Sequence, residues 1–248
     1  MADATTLLST WEAGQATGET GRALLLHALV RPRAGRDELF SVPIGTRDAE
    51  LAGLRRELFG PRAGFRLECP HCGEQLEFEL DLAEVLAGGA AENRTESPPV
   101  GERELTVGPW LVRYRSPTAG DVAVAVAAGP ARARAVLLEA CLLGASRSGR
   151  SVPVAQLPAE VVAEVAASAA AADPRADPQI AMPCPACAER VPVVFDVAAT
   201  LWVELDTWAR AALLDVHLLA RAYGWNEPEV LALSPARRRY YLELVADD

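Results

Sequence analysis

One phrase in this sequence occurs twice. "CPHCGEQLEFELDLA" covers residues 69–83 and "CPACAERVPVVFDVA" covers residues 184–198, with Cys, Pro, Cys, Glu, Asp and Ala in matching places 115 positions apart. Two cysteines with a two-residue spacer can turn both sulfurs toward one ion, and two such pairs supply the four thiolates of a closed tetrahedral zinc site. Cys69, Cys72, Cys184 and Cys187 are therefore the candidate ligands of one structural Zn2+. The alternating Leu76, Phe78 and Leu80 indicate a strand leaving the first pair. Each phrase thus reads as half of a zinc ribbon, the two halves meeting around one ion. With 111 residues between Cys72 and Cys184, the ion would close a long loop. Logarithmic closure entropy makes this worth roughly 2 kcal/mol more than closing a loop of about 15 residues.

Two other uses of the pairs stand beside this one: two local redox couples, or two idle pairs. A thioredoxin-like CxxC opens a helix within a βαβ pattern, whereas both pairs here lead into strands. His71 lies inside the first pair and is expected beside a four-cysteine set that is complete without it. Ala188 stands where the first phrase has Gly73; a positive φ there suits glycine better, which leaves the geometry of the second turn open. A site with four protein ligands has no open position for water or substrate, so the metal is expected to hold the fold rather than to catalyse.

The compartment bears on the cysteines too. There is no run of about 18 apolar residues, and the start, "MADATTLLSTWEAG", lacks a basic segment followed by an apolar one. The expected location is cytoplasmic, where a CxxC is a metal or redox site rather than a disulfide. Cys141, alone in "AVLLEACLLG", is expected in the core.

Periodicity points to a mixed α+β chain, mostly helical. Residues 1–64 read as a helical segment, with Thr46 as an N-cap and Gly60-Pro61 as a stop. Residues 65–83 and 181–198 form the split ribbon, and the weakly patterned "AGGAAENRTESPPVGER" is a connector. Residues 104–176 read as an insertion. It opens with a hairpin turning at Gly108-Pro109, with Trp110, Val112 and Tyr114 on one face. Helices follow through "DVAVAVAA", capped by Thr118 with Asp121, and "ARARAVLLEACLL"; "GASRSGRS" is a loop and "LPAEVVAEVAASAAAA" a further helix.

Residues 199–248 read as C-terminal helices. Leu201, Trp202, Leu205, Trp208, Ala209, Ala212, Leu213, Val216, Leu219, Ala220 and Tyr223 form one apolar stripe. Ala211, Leu214 and Leu218 add a second patch, leaving an arc with Asp206, Arg210, His217 and Arg221 for water. Gly224 suits the stop of this helix, Asn226 with Glu229 a capping box, and Ser234-Pro235 the start of a last helix.

Catalytic signatures are missing: there is no G-x-S-x-G elbow, no phosphate-binding glycine loop and no H-E-x-x-H. The three histidines, His27, His71 and His217, have structural explanations. Asp81 and Asp196 recur in the paired phrases, and each is expected to cap the segment after its strand. No enzyme and no small-molecule substrate are expected. The net charge of −10 opposes binding to nucleic acid or an anionic membrane through the overall field. The alternative is a zinc-ribbon nucleic-acid-binding regulator with a helix-turn-helix-like tail carrying Arg237, Arg238 and Arg239. Against it, residues 199–248 hold five arginines and eight acids.

The tail "LLARAYGWNEPEVLALSPARRRYYLEL", the preceding "LWVELDTWARAALLDVHLLA", "PIGTRDAELAGLRRELFGPR" and the paired "CPxC" phrases resemble zinc-containing baseplate proteins of contractile phage tails and related injection systems, among them baseplate hub assembly chaperones of the T4 family. The run from Tyr223 to Leu231 is the most specific part. The best-known phage chaperones share mainly this tail and lack the cysteines. The resemblance implies a non-enzymatic assembly chaperone or structural adaptor whose partners are baseplate or hub/spike proteins. Aromatic and arginine side chains are frequent interface anchors, so Trp225, Arg237, Arg238 and Arg239 are the expected partner-binding residues.

Overall fold

A computed structural model describes residues 3–86, 101–176, 178, 180–193 and 196–246. Most of the expected connector, residues 87–100, lies outside the described residues. In chain order the elements are α1 (Ala4–Gln15), α2 (Glu19–Val30), α3 (Arg36–Ser41), α4 (Ile44–Phe59), β1 (Arg62–Glu68), β2 (Gln75–Asp81) and α5 (Leu82–Leu86). Next come β3 (Arg103–Val107), β4 (Trp110–Tyr114), α6 (Ala119–Ala127), α7 (Pro130–Cys141), β5 (Leu142–Arg147), β6 (Arg150–Val152) and α8 (Ala159–Ala172). The chain continues with β7 (Ile180–Pro183), β8 (Arg190–Val193), α9 (Val197–Tyr223), α10 (Glu227–Leu231) and α11 (Pro235–Ala246). The chain is mixed α and β, with helix dominating, as expected. Among the described residues no helix is long and apolar enough to cross a membrane.

Contacts divide the chain into two compact units, one made of the stretches up to Leu29 and from Ala198 onward, the other running from Val30 to Val197. The first unit is helical. Leu201, Trp202, Leu205, Ala209, Ala212 and Leu219 of α9 are buried, as the stripe requires, while Leu214 of the second patch stays 56% exposed. Trp202 covers Gly14 of α1, where a Cβ would come within 2.1 Å of the indole ring. Asp206 departs from the expected solvated arc: it is partly buried and accepts a 2.7 Å hydrogen bond from Trp11 Nε1 besides pairing with Arg210. A carboxylate four residues before an arginine on one helix can serve both partners at once. Gly224 takes φ 71° and ends α9, and Asn226 with Glu229 closes the expected capping box of α10.

Among its described residues the second unit contains three antiparallel sheets, ordered β1-β2, β3-β4-β5-β6 and β7-β8. The hairpin β3–β4 turns at Gly108-Pro109, with Val112 and Tyr114 buried and Leu111 and Arg113 outward. Val161 and Val165 of α8 pack on Val112, Tyr114 and Ala145 to form the core of the four-stranded sheet. Thr118 and Asp121 form the expected capping box of α6.

Four expectations for this unit need correction. The loop "GASRSGRS" is the end of β5, a two-residue turn and the start of β6. Ser148 and Gly149 both take positive φ, 49° and 81°, the backbone that matches the twist of paired strands. The preceding helix stops at Cys141 because the next residue, Leu142, is taken into the ladder opposite Tyr114. The start of α4 is not Thr46 but Ile44. Pro43 bridges Thr118 and the Ile44 amide donates to the Pro117 carbonyl, so one free amide of the first turn is satisfied across the fold and not by a side-chain cap. Cys141 is only partly buried; it lies on the wall of a cavity rather than in a filled core.

Candidate metal centre

Each cysteine phrase forms the tip of a hairpin. Glu68 pairs with Gln75 and Pro183 with Arg190, so each tip holds the six residues between. The two tips repeat the same backbone bonds. The amides of Cys69 and Cys184 donate to the carbonyls of Glu74 and Glu189 at 2.8 and 2.9 Å, and those of Gly73 and Ala188 donate to the carbonyls of Cys69 and Cys184, both at 2.9 Å. Ala188 adopts φ 62° and Gly73 φ 76°, so the second turn keeps the geometry of the first despite its side chain.

All four sulfurs lie within 4.8 Å of one another. Cys69 Sγ stands 3.8 Å from Cys187 Sγ, and Cys72 Sγ 3.6 Å from Cys184 Sγ. A tetrahedron with metal–sulfur bonds of about 2.3 Å has edges of about 3.8 Å, so the donor set fits one ion. Two separate pairs would not need this convergence. The sulfurs sit on a small apolar cluster in which Leu76 and Val191, at equivalent places on β2 and β8, are buried beside Cys69 and Cys184. Cys72 is exposed, so one edge of the cluster faces solvent.

The thiols of Cys184 and Cys72 differ without a metal. The Cys187 amide, and after it the Ala186 amide and the sulfurs of Cys72 and Cys187, bring the Cys184 thiol down to about 7 against desolvation. The Glu74 amide favours the Cys72 thiolate, but desolvation and the sulfurs of Cys187, Cys184 and Cys69 outweigh it and push that thiol up to about 12. Four thiolates in so small a space need a cation, and a bound metal ionises its thiol ligands outright.

His71 is exposed at the tip of the first hairpin, and the four-sulfur set is complete without it. Asp81 accepts bonds from the Ala83 and Glu84 amides at the start of α5, the capping role expected of it. In the other unit, Trp225 stacks on Tyr223 and meets Tyr241 edge-on, both at 4.9 Å. Arg237 and Arg239 are exposed, whereas Arg238 is turned inward, 11% exposed, with Nε 3.7 Å from Asp215. The shared support from Leu76 and Val191 is not marked by the cysteine motifs themselves. The only signal for it was that both are apolar at the same offset from their cysteines. Comparison with family models, with curated proteins and with solved structures finds no match for this chain.

Proposed function

We propose that Cys69, Cys72, Cys184 and Cys187 hold one structural Zn2+ in a split zinc ribbon, and that the chain is a non-enzymatic assembly chaperone or adaptor for the baseplate of a contractile injection system. The observation that carries the metal part is the convergence of four sulfurs from two matching hairpins. Zinc suits it because four thiolates complete its tetrahedral shell and leave no position for a substrate. The assembly role is supported by the likeness of the run Tyr223–Leu231 to baseplate proteins, and by the partly exposed apolar and aromatic surface of α9 and α11, where Leu214 and Tyr240 are 56% and 61% exposed. Its partners are baseplate or hub/spike proteins, and Trp225 with Arg237 and Arg239 is the contact surface; Arg238 supports α11 through Asp215.

Two measurements test this. Elemental analysis of protein purified without chelator is expected to give one zinc per chain; iron, or no stoichiometric metal, overturns the metal assignment. Pull-down against the tail proteins encoded beside it is expected to recover a hub or baseplate subunit without nucleic acid. Salt-sensitive DNA binding in place of that capture supports the nucleic-acid reading instead.

A further inference from the structure

The four sulfurs differ in how readily a small reagent meets them. Cys69 and Cys184 are buried and Cys187 partly so, while Cys72 is exposed at the solvent edge of the cluster. A molecule the size of hydrogen peroxide therefore reaches Cys72 without disturbing Leu76 and Val191 beneath the site. Toward such a reagent the thiolate is the reactive form of cysteine, and a bound metal keeps its thiol ligands ionised.

What the oxidised sulfur meets next is set by the fold. The directed sulfur contacts cross from one tip to the other, Cys72 to Cys184 at 3.6 Å and Cys69 to Cys187 at 3.8 Å. A disulfide is about 2.05 Å long, so either contact closes with a movement of roughly 2 Å or less. Each tip holds its own turn through two backbone bonds, and this closure leaves those bonds in place.

We propose that Cys72 is an oxidation site for hydroperoxides and that its product is a disulfide to Cys184, joining the two tips. The Cys72 thiolate attacks one peroxide oxygen and the O–O bond breaks. The sulfur becomes a sulfenic acid, and the other oxygen takes up a proton and leaves as water. The Cys184 thiolate then attacks the Cys72 sulfur. The S–O bond breaks, the S–S bond forms, and the departing hydroxide takes up a second proton. Two thiolates have lost two electrons and the peroxide has gained them. Cys69 and Cys187 remain as two donors, too few for a tetrahedral site, and a second peroxide joins them in the same way. The oxidised chain loses its metal but keeps its tips together through a covalent bond. Metal release rests on the four-thiolate site proposed above; the pairing of Cys72 with Cys184 rests on the sulfur positions alone.

The full reduced chain, as purified, is treated with one equivalent of hydrogen peroxide. Free thiols are then trapped in acid with N-ethylmaleimide, and peptides are mapped by mass spectrometry without reduction. Cys72–Cys184 within one chain is expected as the first disulfide, with bound metal lost in step and Cys141 still free; Cys141→Ser is expected to behave alike. Cys72→Ser is expected to leave Cys184 unoxidised under the same treatment, and the unsubstituted chain decides should that variant fail to fold. A first disulfide within either CxxC pair, at Cys69–Cys187 or between chains overturns the proposal, as does Cys72 ending as a sulfinic acid or no reaction with excess peroxide. A chain that purifies without metal yet forms Cys72–Cys184 sinks the metal assignment and leaves this proposal standing. A metal-bearing chain that forms a different disulfide does the reverse.

Discussion

Single side chains carry more of this fold than their size suggests. Gly14 has no room for a Cβ, since the Trp202 ring occupies that position at 2.1 Å and is itself covered by the Arg22 guanidinium at 4.8 Å. Gly14→Ala must displace a buried indole, and overpacking of this kind costs about 1–3 kcal/mol; denaturant unfolding followed by tryptophan fluorescence measures the loss. Ala188 presents the opposite case. It holds a left-handed backbone that costs an L-residue roughly 1–2 kcal/mol, imposed because its amide must reach the Cys184 carbonyl. Ala188→Gly is therefore expected to stabilise the second tip by about 1 kcal/mol and raise the melting temperature, whereas Gly73→Ala lowers it.

At the scale of elements, short-range signals were legible and long-range ones were not. The Gly108-Pro109 turn, the Thr118–Asp121 and Asn226–Glu229 boxes and the Gly224 stop were all visible, because caps and turns are decided within four residues. The strands β5 and β6 were hidden: "LLGASR" and "RSV" carry little apolar alternation, and they become strands because β4 offers them a ladder. The pairing of α1 with α9 was likewise invisible, and through Trp11 it adds to the hold that Arg210, on α9 itself, has on the Asp206 carboxyl. Hydrogen bonds from Arg210 and then Trp11 hold its carboxyl down to about 2. A carboxyl with a depressed folded value contributes stability above its unfolded pKa of about 3.9 and loses it as pH falls toward the folded value. Asp206→Asn is expected to flatten the decline of stability between about pH 4 and pH 2, read by thermal unfolding across that range.

For the molecule as a whole, the cysteine centre joins segments more than a hundred residues apart in sequence. If it holds an ion, a strong chelator at neutral pH is expected to lower the melting temperature and expose the stretch between β2 and β7 to protease, because the loop closure contributed by the metal is lost. That closure is worth roughly 2 kcal/mol beyond a short loop. Falling pH is expected to release the metal as well, since protons compete for the thiolates. Serine at any one of the four cysteines is expected to reduce metal content, and Cys141→Ser to leave it unchanged. Metal assay on each variant checks both.

The sequence by itself determined which four sulfurs belong together, where each tip turns and where several helices start and stop. Those features follow from backbone preferences and spacing over a handful of residues. Only the tertiary structure decided that the two tips face each other with Leu76 and Val191 beneath them, that Arg238 turns toward Asp215, that Ala188 keeps a glycine-like backbone, and that Asp173 sits buried on Gly45. Each of these depends on burial against residues far away in the chain, and a one-dimensional pattern does not record which distant surfaces exclude water from one another.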